Sequence, residues 1–123
     1  MALPRILIAV PLVVAGAFFP DTNHVTVKAP AGSIGMEHEK FTINEIHIHQ
    51  GQTLEFVNDS AYMHIIGPGH DGTLEETAGE PMQHRVLMAS NATYTTPPFT
   101  VTGTFYFTCS MHAEMTVKVV VTN

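Results

Sequence analysis

Tryptophan is absent from this 123-residue chain, and cysteine occurs once, as Cys109. A single thiol excludes an intramolecular disulfide, so the apolar core alone must hold the fold. Charge is scarce as well, with Asp, Glu, Lys and Arg making up 13% of residues. That is low for a soluble domain, yet aromatic and β-branched residues are too plentiful for a disordered chain. Basic side chains are the rarer sign, five against eleven acids, for a formal net charge of −6 at pH 7. One of the five, Arg5, lies ahead of an apolar run, so the remainder is more acidic still. Such a balance excludes nucleic acid as a partner, because phosphates need basic partners. Beyond Phe19 no helical period, internal repeat, low-complexity tract or linker is found.

The one long apolar run, ILIAVPLVVAGAFF from Ile6 to Phe19, follows Arg5 as the apolar region of an export signal follows its charged start. Ala15-Gly16-Ala17 would suit a signal peptidase. At about 1.5 Å per residue the run spans about 21 Å, short of a hydrocarbon core of about 30 Å, so a cleaved signal is favoured over a retained anchor. The expectation is a signal peptide or membrane anchor over residues 1–17 and one domain over 18–123, exported to the periplasm or another extracytoplasmic space.

What is present after Phe19 is period-2 alternation between turn signals. Strands are predicted at His24–Lys28, around Phe41–Ile48, at Gln52–Val57, Arg85–Met88, Ala92–Thr96, Val101–Thr108 and Thr116–Thr122. Ala29–Gly35 and Gly67–Pro81 are predicted loops, the second long and polar. Phe41 and Ile43 share one parity and Ile46 and Ile48 the other, which predicts a bulge near Asn44-Glu45. Seven or eight short strands with turns every 8 to 12 residues predict an all-β, antiparallel sandwich or barrel.

Cys109 shares the parity of Phe105 and Phe107, so its sulfur should face inward where that strand runs out. Such a thiol is inert packing, a nucleophile or a metal ligand. His112 stands three positions on and Met115 three beyond that, giving C-x-x-H-x-x-M. Thiolate, imidazole and thioether form a soft donor set that suits copper rather than magnesium or calcium. A second imidazole must come from elsewhere in the chain, and His64, which follows Leu54-Glu55-Phe56-Val57 through the turn Asn58-Asp59-Ser60, is the best candidate. Two imidazoles, a thiolate and a long axial thioether make the blue-copper arrangement of electron transfer.

The stretches FTINEIHIHQGQTLEFVNDSAYMH and GTFYFTCSMHAEM resemble the cupredoxins, in particular the plastocyanin and amicyanin branch, over about Phe41 to Val121. The resemblance implies a Greek-key β-sandwich holding one type 1 copper ion, with His64, Cys109 and His112 as equatorial ligands and Met115 axial. It makes His112, beside Met111 and Ala113, the expected point of electron exit. Two positions depart from the family: Ile65 stands where a polar residue, often Asn, ties the ligand loops together, and Met111 stands where Pro is usual. Both bear on hydrogen bonding around the sulfur.

The expected function is one-electron transfer outside the cytoplasm, without catalysis, since no coordination position is left for a substrate. The alternative is a copper carrier or buffer, suggested by seven Met and eight His. Expected partners of a monomer are redox proteins, a basic cytochrome or a membrane oxidoreductase; the acids Asp71, Glu75, Glu76 and Glu80 could steer a basic partner and read equally well as a solvated acidic loop. Phe107, Ile65 and Met63 are expected to seal the metal from water. His38, His47, His49 and His70 read as surface imidazoles, although His47-Ile48-His49 could bind a second metal. Asn58 and Asn91 both begin glycosylation sequons. Hydrolytic cysteine chemistry is set aside because the strand parity buries the sulfur, and a binuclear copper centre is excluded because it needs two cysteines.

Overall fold

The computed structural model describes residues 28–75, 81–82 and 84–123. The apolar run Ile6–Phe19, all but Lys28 of the strand expected at His24–Lys28, and the acids Glu76 and Glu80 lie outside these residues. Among the described residues nine strands follow one another: β1 (Gly32–Gly35), β2 (Glu45–His49), β3 (Leu54–Val57), β4 (His64–His70), β5 (Thr73–Leu74), β6 (Val86–Met88), β7 (Thr93–Thr95), β8 (Gly103–Cys109) and β9 (His112–Thr122). Among the described residues, no helix is long and apolar enough to cross a membrane.

Two sheets form, one in the order β1-β3-β7 and one in the order β2-β9-β8-β4-β5, with β6 also paired to β4. The alternation that predicts strands also fills the core between them. Leu54 and Phe56 are buried from β3, Phe105, Phe107 and Cys109 from β8, and Met115, Val117, Val119 and Val121 from β9. Phenylalanine rings join the sheets: Phe56 of β3 meets Phe107 of β8 edge-on, with centroids 5.8 Å apart. Phe99, in the connection to β8, reaches both Phe105 and Phe107 at 6.0 Å. Each such ring removes enough apolar surface from water to stabilise the fold by about 2–3 kcal/mol.

Four local expectations are corrected. The sheets are mixed, because β1 runs parallel to β3 and β2 parallel to β9; side-chain alternation reports which face is buried but not the direction of the neighbour. Part of the loop expected at Ala29–Gly35 is strand β1, whose Ile34 is fully buried. No bulge joins Phe41 to β2: Phe41 is buried, Ile43 is exposed, and only an isolated bridge from Phe41 to Met36 precedes the strand at Glu45. Finally, β4 continues through Gly67 and Pro68 to His70 and turns sharply into β5, where a long loop was expected. Gly69 permits that hairpin, since its φ of 144° suits glycine and a Cβ there would run into the Thr73 carbonyl.

Candidate metal centre

Strands β4 and β8 run antiparallel with Ile66 opposite Cys109, so His64, at the start of β4, and Cys109, at the end of β8, come to the same end of the second sheet. The hairpin from β8 to β9 completes the arrangement. Thr108 pairs with Thr116 but Cys109 pairs with His112, so residues 113–115 bulge out opposite a single step of β8. An extra loop of chain here lets one short segment present more than one side chain to the same point. Cys109 and His64 are fully buried and His112 is half-buried. His64 Nδ1 lies 3.6 Å and His112 Nδ1 3.9 Å from Cys109 Sγ. His64, Cys109 and His112 offer ligand atoms that all lie within 4.8 Å of one another.

That spacing can be tested against a bound ion. Bonds of about 2.0 Å to nitrogen and about 2.3 Å to sulfur, at angles between tetrahedral and trigonal, put the two donors about 3.5–3.7 Å apart. The His64 separation of 3.6 Å fits as it stands, and the His112 separation of 3.9 Å needs to close by about 0.2 Å. Met115, three residues beyond His112 at the end of the bulge, is fully buried and shares its face of β9 with Val117. His47 and His49 do not converge on a second centre: His47 Nε2 is 2.6 Å from Glu45 Oε2, while His49 Nδ1 is 3.0 Å from the Asn123 carbonyl.

Burial, and then the nearby His112, push the His64 pKa below its ordinary value, against a hydrogen bond to the Glu37 carbonyl that favours the charged form. A neutral imidazole is what a metal requires. Asn58, also fully buried, holds the segment leading to His64. Its Nδ2 faces the carbonyls of Tyr62, Met88 and Ala89 at 2.7, 2.9 and 3.1 Å, and its Oδ1 accepts from the Ser60 N–H and hydroxyl. Its side-chain amide is therefore committed within the fold, which argues against glycosylation of Asn58.

The two departures noted in sequence have local consequences. With Ile65 unable to tie the ligand segments by its side chain, the Ser110 N–H donates to the Ile65 carbonyl at 2.9 Å. With Met111 in place of Pro, a backbone N–H is available, and it donates to Cys109 Sγ at 3.4 Å. The expected seal is also corrected: Phe107 is buried, but Ile65 is only half-buried and Met63 is 43% exposed. On the far side of the sulfur strand, the buried Thr108 hydroxyl donates to the Met115 carbonyl at 2.7 Å and accepts from the Gly72 N–H at 2.9 Å. Since that proton is committed, Thr116 Oγ1 is the donor in its 3.1 Å contact with Thr108, and it accepts in turn from the Asp71 N–H. The turn between β4 and β5 is thereby fastened to the ligand hairpin.

Sequence reasoning placed His38 on the open surface, and Tyr62 drew no attention. The structure stacks their rings with centroids 3.6 Å apart and an interplanar angle of 14°. His38 also meets His112 edge-on at 5.4 Å. Nothing in the sequence signals this contact, because the three residues lie in separate segments joined only by the fold.

Residues 24–122 match the family of copper binding proteins described as plastocyanin/azurin. The chain belongs to this copper-binding family. Among solved structures, it is similar to amicyanin from Paracoccus versutus, at 24% identity and a TM-score of 0.58 over 77% of this chain and 84% of that one. A reduced Cu(I) form of an amicyanin variant at pH 4 is 26% identical, with a TM-score of 0.57 over 77% and 85% of the two chains. A purple cupredoxin from Nitrosopumilus maritimus is 17% identical, with a TM-score of 0.58 over 73% and 98%. No curated protein sequence matches the chain.

Proposed function

We propose that this protein is a one-electron carrier built on a single type 1 copper site, in which His64 Nδ1, Cys109 Sγ, His112 Nδ1 and the Met115 thioether would hold the ion. The reading rests on one observation above the others: two imidazoles and the chain's only thiol, supplied by three separate strands, bring their donor atoms within 4.8 Å of one another. Copper held there would supply a Cu(II)/Cu(I) couple. The residues around it keep the donors in place. Asn58 fixes the approach to His64, the Ser110–Ile65 hydrogen bond ties the two ligand segments, and Thr108 anchors the strand on which Met115 sits. Donors held so firmly change little between oxidation states, and a small rearrangement favours fast transfer. The soft sulfur ligands favour the reduced ion, whereas both oxidation states accept imidazole.

Related carriers work outside the cytoplasm, and the apolar run Ile6–Phe19 fits export, so an extracytoplasmic location belongs to the proposal. The excess of acids suits a basic redox partner, a cytochrome or a membrane oxidoreductase. A role in copper delivery is the competing reading, favoured by the exposed thioethers of Met63 and Met111, each next to a histidine of the cluster. Loading with copper and cycling between oxidant and reductant separates the two. A carrier of electrons holds its copper and shows an intense visible thiolate-to-copper band that bleaches and returns. A carrier of copper yields a colourless Cu(I) form that gives up its metal to a competing chelator.

A further inference from the structure

In this fold the ligand imidazole nearest solvent is not the outermost ring. His112 is half-buried, while the His38 side chain is 48% and Tyr62 49% exposed. His38 stands between them, edge-on to His112 at 5.4 Å and face-to-face with Tyr62 at 3.6 Å. Its position is built into the fold. The Met36–Phe41 bridge and the Glu37 N–H to Lys40 carbonyl hydrogen bond pin the turn that carries it. The same turn offers its Glu37 carbonyl to His64. Tyr62 is set from the other side, its carbonyl accepting from Asn58 Nδ2.

We infer that electrons enter and leave the cluster through the His38–Tyr62 stack, with His38 coupling the His112 ring to Tyr62 at the surface. The inference rests on the one-electron reading above and places its port two rings further out than His112, at Tyr62. A tunnelling electron loses coupling steeply across gaps and less through packed atoms. The stack offers a continuous path of rings where solvent or a partner's surface would otherwise have to lie against His112. In each transfer one electron passes from the reduced site to a one-electron acceptor, no bond forms or breaks, and neither ring is itself oxidised. The edge contact with His112 is a favoured geometry, and the near-parallel rings of His38 and Tyr62, with centroids 3.6 Å apart, leave no gap between them.

The test is electron self-exchange between Cu(I) and Cu(II) copies of this chain, measured by NMR line broadening in partly oxidised samples, for the native protein and for His38→Ala, Tyr62→Leu and Tyr62→Phe. Midpoint potential and visible spectrum are recorded for each. The expected result is exchange slowed about tenfold or more by His38→Ala and Tyr62→Leu, which corresponds to about 1.4 kcal/mol of effective barrier, with near-native exchange in Tyr62→Phe and unchanged spectra and potentials throughout. Exchange that stays the same or quickens in His38→Ala overturns the inference, since the stack would then be a cover over His112. Slower exchange accompanied by a shifted potential or altered spectrum also overturns it, because the cause would lie in the ligand geometry. If the native protein shows no visible thiolate band and no self-exchange, the electron-carrier reading itself fails, a result distinct from either of these.

Discussion

Replacing Met111 by proline removes one atom's worth of chemistry from the cluster, the N–H that donates to Cys109 Sγ at 3.4 Å. That hydrogen bond stabilises negative charge on the sulfur, and the sulfur carries more of it when the bound copper is reduced. Losing the donor therefore disfavours the reduced state and lowers the midpoint potential. A hydrogen bond to a charged group contributes about 1.5–3 kcal/mol, and this one is long and ends on a soft acceptor. If about 1 kcal/mol of it distinguishes the two oxidation states, the shift is about 40 mV for one electron. Protein-film voltammetry of Met111→Pro should show a fall of that size, while Met111→Ala, which keeps the N–H, should stay close to the native potential. The proline also restricts Ser110, so the hydrogen bond from Ser110 to Ile65 is checked by hydrogen exchange. An unchanged or raised potential in Met111→Pro, with the Ser110 amide still protected, would refute the reasoning.

Three further outcomes follow from the same network. Asn58→Ala leaves the Met88, Ala89 and Tyr62 carbonyls without their shared donor at a buried position, and should lower the unfolding free energy by about 3 kcal/mol; urea denaturation finding a loss under about 1 kcal/mol would show that the amide is dispensable. Thr108→Val keeps the shape but strands the Met115 carbonyl and the Gly72 N–H, for an expected loss of about 2 kcal/mol and weaker copper retention against a chelator. For the copper-free protein, His64 has its folded pKa below the unfolded one, so the unfolded chain takes up the proton first. This group's contribution is intact above about pH 6.5 and is lost as pH falls through the normal imidazole range toward the folded value. The urea midpoint should drop over that window, and His64→Gln should flatten the slope; an equally steep slope in the variant would assign the effect to other groups.

The parts of this molecule that a sequence can reveal are those encoded by local alternation. Phe105, Phe107 and Cys109 on one parity, and Val117, Val119 and Val121 on another strand, give both the burial of the sulfur and the hairpin that carries His112. His64 could be singled out because a soft site built around one thiolate needs a second imidazole. Partner choice was not legible, since the parallel pairing of β1 with β3 and β2 with β9 depends on crossovers between sheets that alternation does not record. The continuation of β4 through Gly67-Pro68-Gly69 was hidden because these residues signal a turn, and only packing against β8 and β5 keeps them extended. His38 is exposed, as expected, but its ring contacts were hidden for a related reason. A histidine between two glutamates looks like a solvated residue, and its place beside His112 comes from a turn pinned by Met36 and Phe41, distant from the ligands in the chain. Asn58 showed its turn-forming character but not the three carbonyls it gathers.

The most direct test titrates the metal-free protein with copper and follows the visible spectrum of the native chain beside Cys109→Ser and His64→Ala. One equivalent should produce an intense thiolate-to-copper band in the native protein, with the band absent in Cys109→Ser and strongly altered in His64→Ala. A band of native intensity in either variant, or copper bound by the native chain without any such band, would contradict the ligand set on which the account stands.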